Sequence, residues 1–417
     1  MRIRTVAVVL AVLAGLLGAA AVGLGVFGGE STTLTAEWVS GTGREVTSNH
    51  HAVAAGRPGG RGMVYAPVSG RANTTQCALY GLSAANGSTD WTYAVPPADC
   101  TIHSVADPTL ADYDDDGTVE VLAGTTERAV VAVDPATGAV EFRRDLGSYG
   151  YSKPVVTDFV GDDAKEIIVV DAHGTVYVLR PNGSEVWSKK LDRYTWGQPA
   201  VADFDDDGDP ELTVGVGGEG HLYLFERNGT VAWRRTDSLG GSITWLTTGQ
   251  ADGDPAREIV TATAAGGVAM FDGTDGRVEW ERDFGRLAAV RALGDGDGDG
   301  APEVYAVARD GKLRSIAVAT GDVEWTTTLT TADVQMMPPP SLGDVDGDDS
   351  PELVAATNDG TVAVVDPVGG DVVARYERDV PVFAPPTLAD VDADGRSEAF
   401  VIYGDGRVVA LSVPEGG

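Results

Sequence analysis

The chain has 417 residues, 43% of them apolar, which is enough for a large core, and 63 acidic against 30 basic side chains give a net charge of −33. Such a surface repels phosphate backbones and anionic lipid, which excludes nucleic acid and an acidic membrane face as partners. Lysine stands only at Lys153, Lys165, Lys189, Lys190 and Lys312, and strong acidity with few lysines resembles proteins of salt-loving (halophilic) organisms, where a Debye length of about 3 Å at 1 M screens self-repulsion.

In chain order, Met1-Arg2-Ile3-Arg4 leads into an uncharged apolar run from Val6 to Gly28, followed by Glu30. As a helix the run spans roughly 35 Å, against a hydrocarbon core of about 30 Å. The basic flank predicts a single-pass cell-membrane anchor over residues 1–30, with residues 31–417 outside the cytoplasm. The alternative is a secreted protein whose signal peptide is cut near Ala19-Ala20-Ala21, although such apolar regions usually run about 7–15 residues. In an exported chain, Cys77 and Cys100 are compatible with one disulfide, and two buried thiols are the other reading. Asn73, Asn86, Asn182 and Asn228 each open an Asn-x-Ser/Thr triplet, a glycosylation candidate in a glycoprotein.

From residue 108 onward an acidic phrase, Asp-x-Asp-x-Asp-Gly-x-x-Glu, recurs with first positions Asp112, Asp158, Asp203, Gln250, Asp295, Asp344 and Asp390, at intervals of 46, 45, 47, 45, 49 and 46 residues. A fixed period of this size means a stacked or circular array. Within one period, for instance residues 199–236, four short β-rich runs are separated by turn residues, which predicts a four-stranded antiparallel meander. The fourth run carries an aromatic at Phe142, Trp187, Trp233, Trp280 and Trp325, a spacing suited to packing between adjacent units. The copy beginning at Asp390 lacks room for its fourth strand, and Thr35-Ala36-Glu37-Trp38-Val39 matches the missing piece. One further unit, whose later strands are Met63–Val68, Ala78–Leu82 and Asp90–Tyr93, has no carboxylates where its loop should be. The prediction is an all-β, eight-bladed β-propeller over residues 31–417, closed by the Trp38 strand in the last blade. Seven blades with a separate cap is the alternative.

The acidic phrase resembles the calcium loops of FG-GAP and VCBS repeats, as in integrin alpha-subunit propellers. Segments such as Ala319-Thr320-Gly321-Asp322-Val323-Glu324-Trp325 resemble the PQQ-like repeat of quinoprotein and BamB-type propellers. These resemblances imply a fold and leave function open. Alternate carboxylates on a tight loop converge on a hard cation. By resemblance, positions one, three, five and nine are the side-chain ligands of several calcium ions. The complete sets are Asp112, Asp114, Asp116, Glu120; Asp203, Asp205, Asp207, Glu211; Asp295, Asp297, Asp299, Glu303; Asp344, Asp346, Asp348, Glu352; and Asp390, Asp392, Asp394, Glu398. Weaker sets are Asp158, Asp162, Glu166 and Asp252, Asp254, Glu258. Glutamate where the family usually has aspartate puts bidentate binding by position nine in question.

Seven residues before each loop stand Val105, Tyr151, Trp196, Ile243, Ala288, Met337 and Phe383, with Tyr149 and Tyr194 beside two of them. In a propeller this position faces the central channel at the end away from the loops. Tyr151, Trp196, Met337 and Phe383 are therefore candidate ligand-binding residues, able to stack on a sugar or grip a partner's side chain. The five histidines, His50, His51, His103, His173 and His221, form no recognisable catalytic motif, and no nucleophile elbow or phosphate loop is evident. The expected function is binding, as an extracellular scaffold for a protein or glycan partner. A carbohydrate-active enzyme of polysaccharide-lyase type, or a quinoprotein-like dehydrogenase, remains the alternative on the same fold.

Overall fold

The computed structural model describes residues 32–47, 49–191, 193–236, 240–251, 253 and 255–413. Eight antiparallel sheets follow one another, and we number the blades by their innermost strands: Ala54–Gly56, Thr109–Ala111, Val155–Thr157, Ala200–Ala202, Ile243–Gly249, Ala289–Gly294, Ser341–Gly343 and Thr387–Ala389. Blade 4 is typical, continuing outward through Glu211–Gly215, Leu222–Phe225 and Val231–Arg235. The described residues from Thr33 onward pack as one compact unit. The eight-bladed prediction therefore holds and the seven-bladed alternative falls. In blade 1 a short 3-10 turn, Pro58–Gly60, stands where the other blades carry an acidic loop. In blade 7 the outer edge is extended, since the Leu34 N–H donates to the Arg375 carbonyl at 2.8 Å.

Second and third strands are buried on both faces, as in Glu166–Val170 and Ala129–Val133. Each sheet is covered by a neighbour on either side, so these strands are continuous apolar runs rather than alternating ones. Fourth strands alternate: Val140–Asp145 buries Phe142 and exposes its outward-facing neighbours.

Aromatics on the fourth strands lock each blade to the next. The indole N–H of Trp91 donates to the Pro135 carbonyl at 2.9 Å, Trp187 to Arg227 at 2.9 Å, Trp233 to Gly273 at 2.7 Å, Trp280 to Val318 at 2.6 Å and Trp325 to Pro367 at 2.7 Å. A turn glycine of the following blade lies against the ring. At Gly276, with φ +69°, an added Cβ would stand 2.6 Å from Trp233, so both the space and the left-handed backbone require glycine there. Thr35–Val39 pairs antiparallel with Val408–Ser412, Thr35 opposite Ser412, and Trp38 donates to the Ala84 carbonyl of blade 1 at 2.6 Å. The ring thus closes with the same device that joins its other blades.

Cys77 and Cys100 form a disulfide in blade 1. Asn73, Asn86, Asn182 and Asn228 are all exposed on turns. Among the described residues no helix is long and apolar enough to cross a membrane. The apolar run at residues 6–28 and the cleavage region at 19–21 lie outside the described residues, as do Asp252 and Asp254.

Candidate functional site

All eight innermost strands run the same way along the channel. The residues before each strand therefore gather at one mouth and the acidic loops after each strand gather at the other. Most of these strands are only half-buried, because one face looks into the channel.

At the first mouth is a cavity of about 360 Å³, lined by His50, His51, His103, Asp107, Tyr151 and Tyr194, with Trp196, Gln198, Trp245, Met337 and Phe383 completing the wall. All four predicted ligand-binding residues, Tyr151, Trp196, Met337 and Phe383, are brought together there. Trp196 is 44% exposed and Tyr194 39%, so their rings stand at the entrance, whereas Met337 is buried in the wall. The rings form a continuous train: Tyr149 against Tyr151, Tyr151 against Tyr194, Tyr194 against Trp196, with centroids 5.8 to 6.4 Å apart. His50 packs on Phe383 at 4.4 Å.

The seven-residue rule does not hold for every blade. Val105 and Ile243 are buried in the walls between blades and do not line the cavity. A bulge between Ile243 and Trp245 turns Trp245 toward the channel instead. Sequence reasoning also missed Asp107, Gln198 and Trp245. All three stand five residues before a loop start, two residues beyond the position chosen, and in blade 4 strand alternation puts Gln198 on the face of Trp196. The histidines join through space. His51 Nδ1 lies 2.9 Å from Asp107 Oδ1, and His51 Nε2 lies 3.1 Å from His103 Nδ1. His51 Nδ1 donating to Asp107 leaves His51 Nε2 facing His103 Nδ1. Burial, helped by the charges of His51 and His50, pushes His103 down to about 3, so it is neutral at ordinary pH. Burial opposes charge on Asp107, but the His51 hydrogen bond and charge, with Lys153 and Arg291, outweigh it and hold the carboxyl below its usual range.

At the other mouth, five loops bring carboxylate oxygens within 4.8 Å of one another: Asp112, Asp114, Glu120; Asp203, Asp205, Glu211; Asp295, Asp297, Asp299; Asp344, Asp346, Asp348; and Asp390, Asp392, Glu398. The loops have a common internal logic. The ninth-position glutamate reaches back with Oε2 to the amide at position two, as from Glu211 to Phe204 at 2.8 Å and from Glu352 to Val345 at 3.0 Å. The first aspartate uses Oδ2 to accept the sixth-position amide, as Asp203 does from Gly208 at 3.1 Å. Asp112 Oδ1, Asp203 Oδ1 and Glu211 Oε1 are then buried without a partner. Unsatisfied buried oxygens converging on one point fit a hard cation. With Oε2 accepting the amide, Oε1 is the glutamate oxygen left free of hydrogen bonds, as in Glu211. The fifth-position side chains of Asp116, Asp207 and Asp394 cap their own turns and stand outside the clusters, as do Glu303, which also accepts from the Tyr305 hydroxyl, and Glu352. Burial, then neighbouring carboxylates, raises Glu120, Glu211 and Glu352 to about 7.

The weaker set in blade 3 has an internal cation. Arg180 donates to both oxygens of Asp162, at 2.9 and 2.7 Å, and to Glu166 Oε1 at 2.6 Å. Asp158 is spent on the amides of Gly161, Asp162 and Asp163. In this weaker set the guanidinium of Arg180 stands between Asp162 and Glu166. In the blade 5 loop, Glu258 accepts from the Ala251 amide at 2.6 Å. A larger hollow of about 670 Å³ lies at the closing seam, beside Trp38, Arg61, Asp392 and Arg396, away from the ring train.

The family described as outer membrane protein assembly factor BamB matches residues 157–331 and 218–417. No curated protein matches the chain. Among solved structures, BamB from Moraxella catarrhalis is 18% identical, with a TM-score of 0.63 over 93% of this chain and 99% of that one. The computationally designed Ika8 protein is 14% identical, with a TM-score of 0.64 over 91% and 99%. The quinohemoprotein alcohol dehydrogenase ADHIIG from Pseudomonas putida HK5 is 12% identical, with a TM-score of 0.64 over 93% and 79%. At these identities the likeness is one of fold. The matches support the PQQ-like repeat, and none of them is an FG-GAP or VCBS protein.

Proposed function

The chain belongs to the family of outer membrane protein assembly factor BamB, and from that premise we propose that it is a binding propeller, held or released outside the cytoplasm. It takes a ligand or a partner's side chain into the aromatic mouth of its channel. The observation that carries this reading is the cavity of about 360 Å³ edged by the exposed rings of Tyr194 and Trp196. Protein monomers seldom offer such rings to solvent beside a concave surface unless something covers them. The assembly role in the family's description suits a scaffold. Export rests on the apolar run at residues 6–28, with the Cys77–Cys100 disulfide and exposed Asn-x-Ser/Thr turns suited to an oxidising, glycosylating route. Calcium in five acidic loops is the brace of the second mouth, supported by the orphan oxygens there.

The test is a binding screen of the chain against glycans and co-purifying surface proteins, repeated with the double variant Trp196→Ala, Phe383→Ala. The expected result is lost binding with the melting temperature nearly kept. A collapsed melt with binding unchanged in the remaining folded fraction would make the rings a mere plug. A second reading, an enzyme of polysaccharide-lyase type, is favoured by the Asp107–His51–His103 chain that ends in the cavity. Appearance of unsaturated uronate, read by its ultraviolet absorbance, and its loss in His103→Gln would replace the scaffold with that enzyme.

A further inference from the structure

The two mouths of the channel offer different donors. The acidic loops present carboxylates, whereas the aromatic mouth gathers the imidazoles of His50, His51 and His103. The chain has only five histidines, so three of them in one cavity are a concentration that composition alone does not supply. Asp107 fixes the middle ring. Its Oδ1 accepts from His51 Nδ1 at 2.9 Å and from the Ala52 amide at 2.9 Å, and its Oδ2 accepts from Gln198 Nε2 at 3.3 Å. A carboxylate held by three donors sets the tautomer of His51: the proton sits on Nδ1, and the lone pair of Nε2 points away from Asp107. That nitrogen lies 3.1 Å from His103 Nδ1. The two rings meet edge-on at 82°, and Tyr151 packs on both, at 5.4 and 5.2 Å. His51 is buried and His103 half-buried, so the pair is walled by protein yet reached from the cavity.

Two imidazole nitrogens bound to one tetrahedral cation, each at about 2.0–2.1 Å, stand about 3.3–3.4 Å apart. His51 Nε2 and His103 Nδ1 are close to that spacing. A carboxylate that receives the far N–H of a ligating imidazole is the usual support of such a site, because it orients the ring and raises the basicity of the nitrogen that binds. We infer that the aromatic mouth holds a divalent transition metal of the zinc class, ligated by His51 Nε2 and His103 Nδ1, with Asp107 as positioning residue and the remaining coordination positions open to the cavity. Imidazole suits zinc, copper(II) and nickel(II), whereas calcium and magnesium take oxygen. The inference goes beyond the ring-lined binding surface, giving it a cation able to grip an oxygen of whatever the rings cover. A plain hydrogen bond from His103 to His51 is the competing account of the same contact.

The experiment is calorimetric titration of the full chain with zinc chloride in saturating calcium, which keeps zinc from the acidic loops, followed by cobalt(II) as a spectroscopic substitute. One equivalent of zinc should bind with a dissociation constant of about a micromolar or less. The cobalt form should show the visible ligand-field bands of a tetrahedral site with nitrogen donors, and zinc should bleach them. His103→Gln should abolish both the equivalent and the bands. Asp107→Ala should keep the stoichiometry and the bands but weaken zinc at least about tenfold, a change that a merely structural carboxylate would not produce. Asp107→Asn, which can still accept the His51 proton, should weaken it less. His173→Gln, at an exposed histidine outside the cavity, should change nothing. Where a variant fails to fold, the cobalt spectrum of the unaltered protein decides: tetrahedral bands support the site, and the weak bands of an all-oxygen octahedral ion overturn it. Absence of zinc binding, or binding that survives His103→Gln, also overturns it, and leaves the ring-lined mouth as a binding surface in place. Unchanged affinity in Asp107→Ala overturns the positioning role.

Discussion

Under three of the acidic loops a glutamate, Glu120, Glu211 or Glu398, divides its two oxygens between two tasks. One oxygen fastens the loop backbone and the other faces the neighbouring aspartates, as Glu211 does with Phe204 and Asp205. Without metal, Glu211 is raised to about 7 by burial and like charge. A carboxyl raised in the folded state stabilises it fully below the unfolded value near 4.3 and loses that contribution as pH rises through about 7. Glu211→Gln should therefore melt higher than the unaltered protein in excess chelator at pH 8, and the difference should shrink as pH falls and vanish only below about 4. In saturating calcium the same substitution should melt lower, because a ligand is gone. Scanning calorimetry under the three conditions checks both signs. In blade 3, Arg180→Ala leaves the fully buried Glu166 facing Asp162 uncompensated and should cost about 3 kcal/mol in denaturant unfolding. The carboxylate sets were legible in the sequence because each lies within nine consecutive residues. Arg180 was not, since it comes from the end of the third strand, 14 residues past Glu166, and only pairing of the strands brings it over the loop.

The strand with a tryptophan and the turn with a glycine together make the joint between blades. Trp233 caps this joint from blade 4 and Gly276 receives it in blade 5. Trp233→Ala removes a large ring and a hydrogen bond from a partly buried site and should cost about 3 kcal/mol. Gly276→Val should cost at least as much, through both the ring contact and the left-handed backbone. Equilibrium urea unfolding measures the two, and the double variant should cost less than their sum because they share one contact. Strand number, the blade-to-blade role of the aromatics and the partner of Trp38 could all be read from spacing, since each repeats with the period. Trp245 in place of Ile243 could not, because a bulge changes which side chain faces the channel without changing the composition of the strand. The histidine cluster was hidden for another reason. His51 and His103 are 52 residues apart and meet only because the segment between closing strand and blade 1 passes the channel mouth.

At the scale of the whole ring, small terms add. If free calcium exceeds the dissociation constant tenfold, each loop contributes roughly 1.4 kcal/mol, and five contribute about 7 kcal/mol. For a body of this size that moves the melting midpoint by about 9 °C. Chelation followed by a thermal scan should show a fall of that order, and calcium should restore it where magnesium, with its stricter octahedral demand, does so less well. Removing residues 1–39 should leave Val408–Ser412 as an open sheet edge and produce aggregates on size-exclusion chromatography. That same seam has a temporal meaning. A ribosome delivers the Trp38 strand more than 360 residues before its partner Val408–Ser412, so that strand waits unpaired while the blades between them are made. Circularity makes the closing joint depend on strands far apart in the chain: a product interrupted before Val408 has seven joints at most and leaves Thr35–Val39 unpaired.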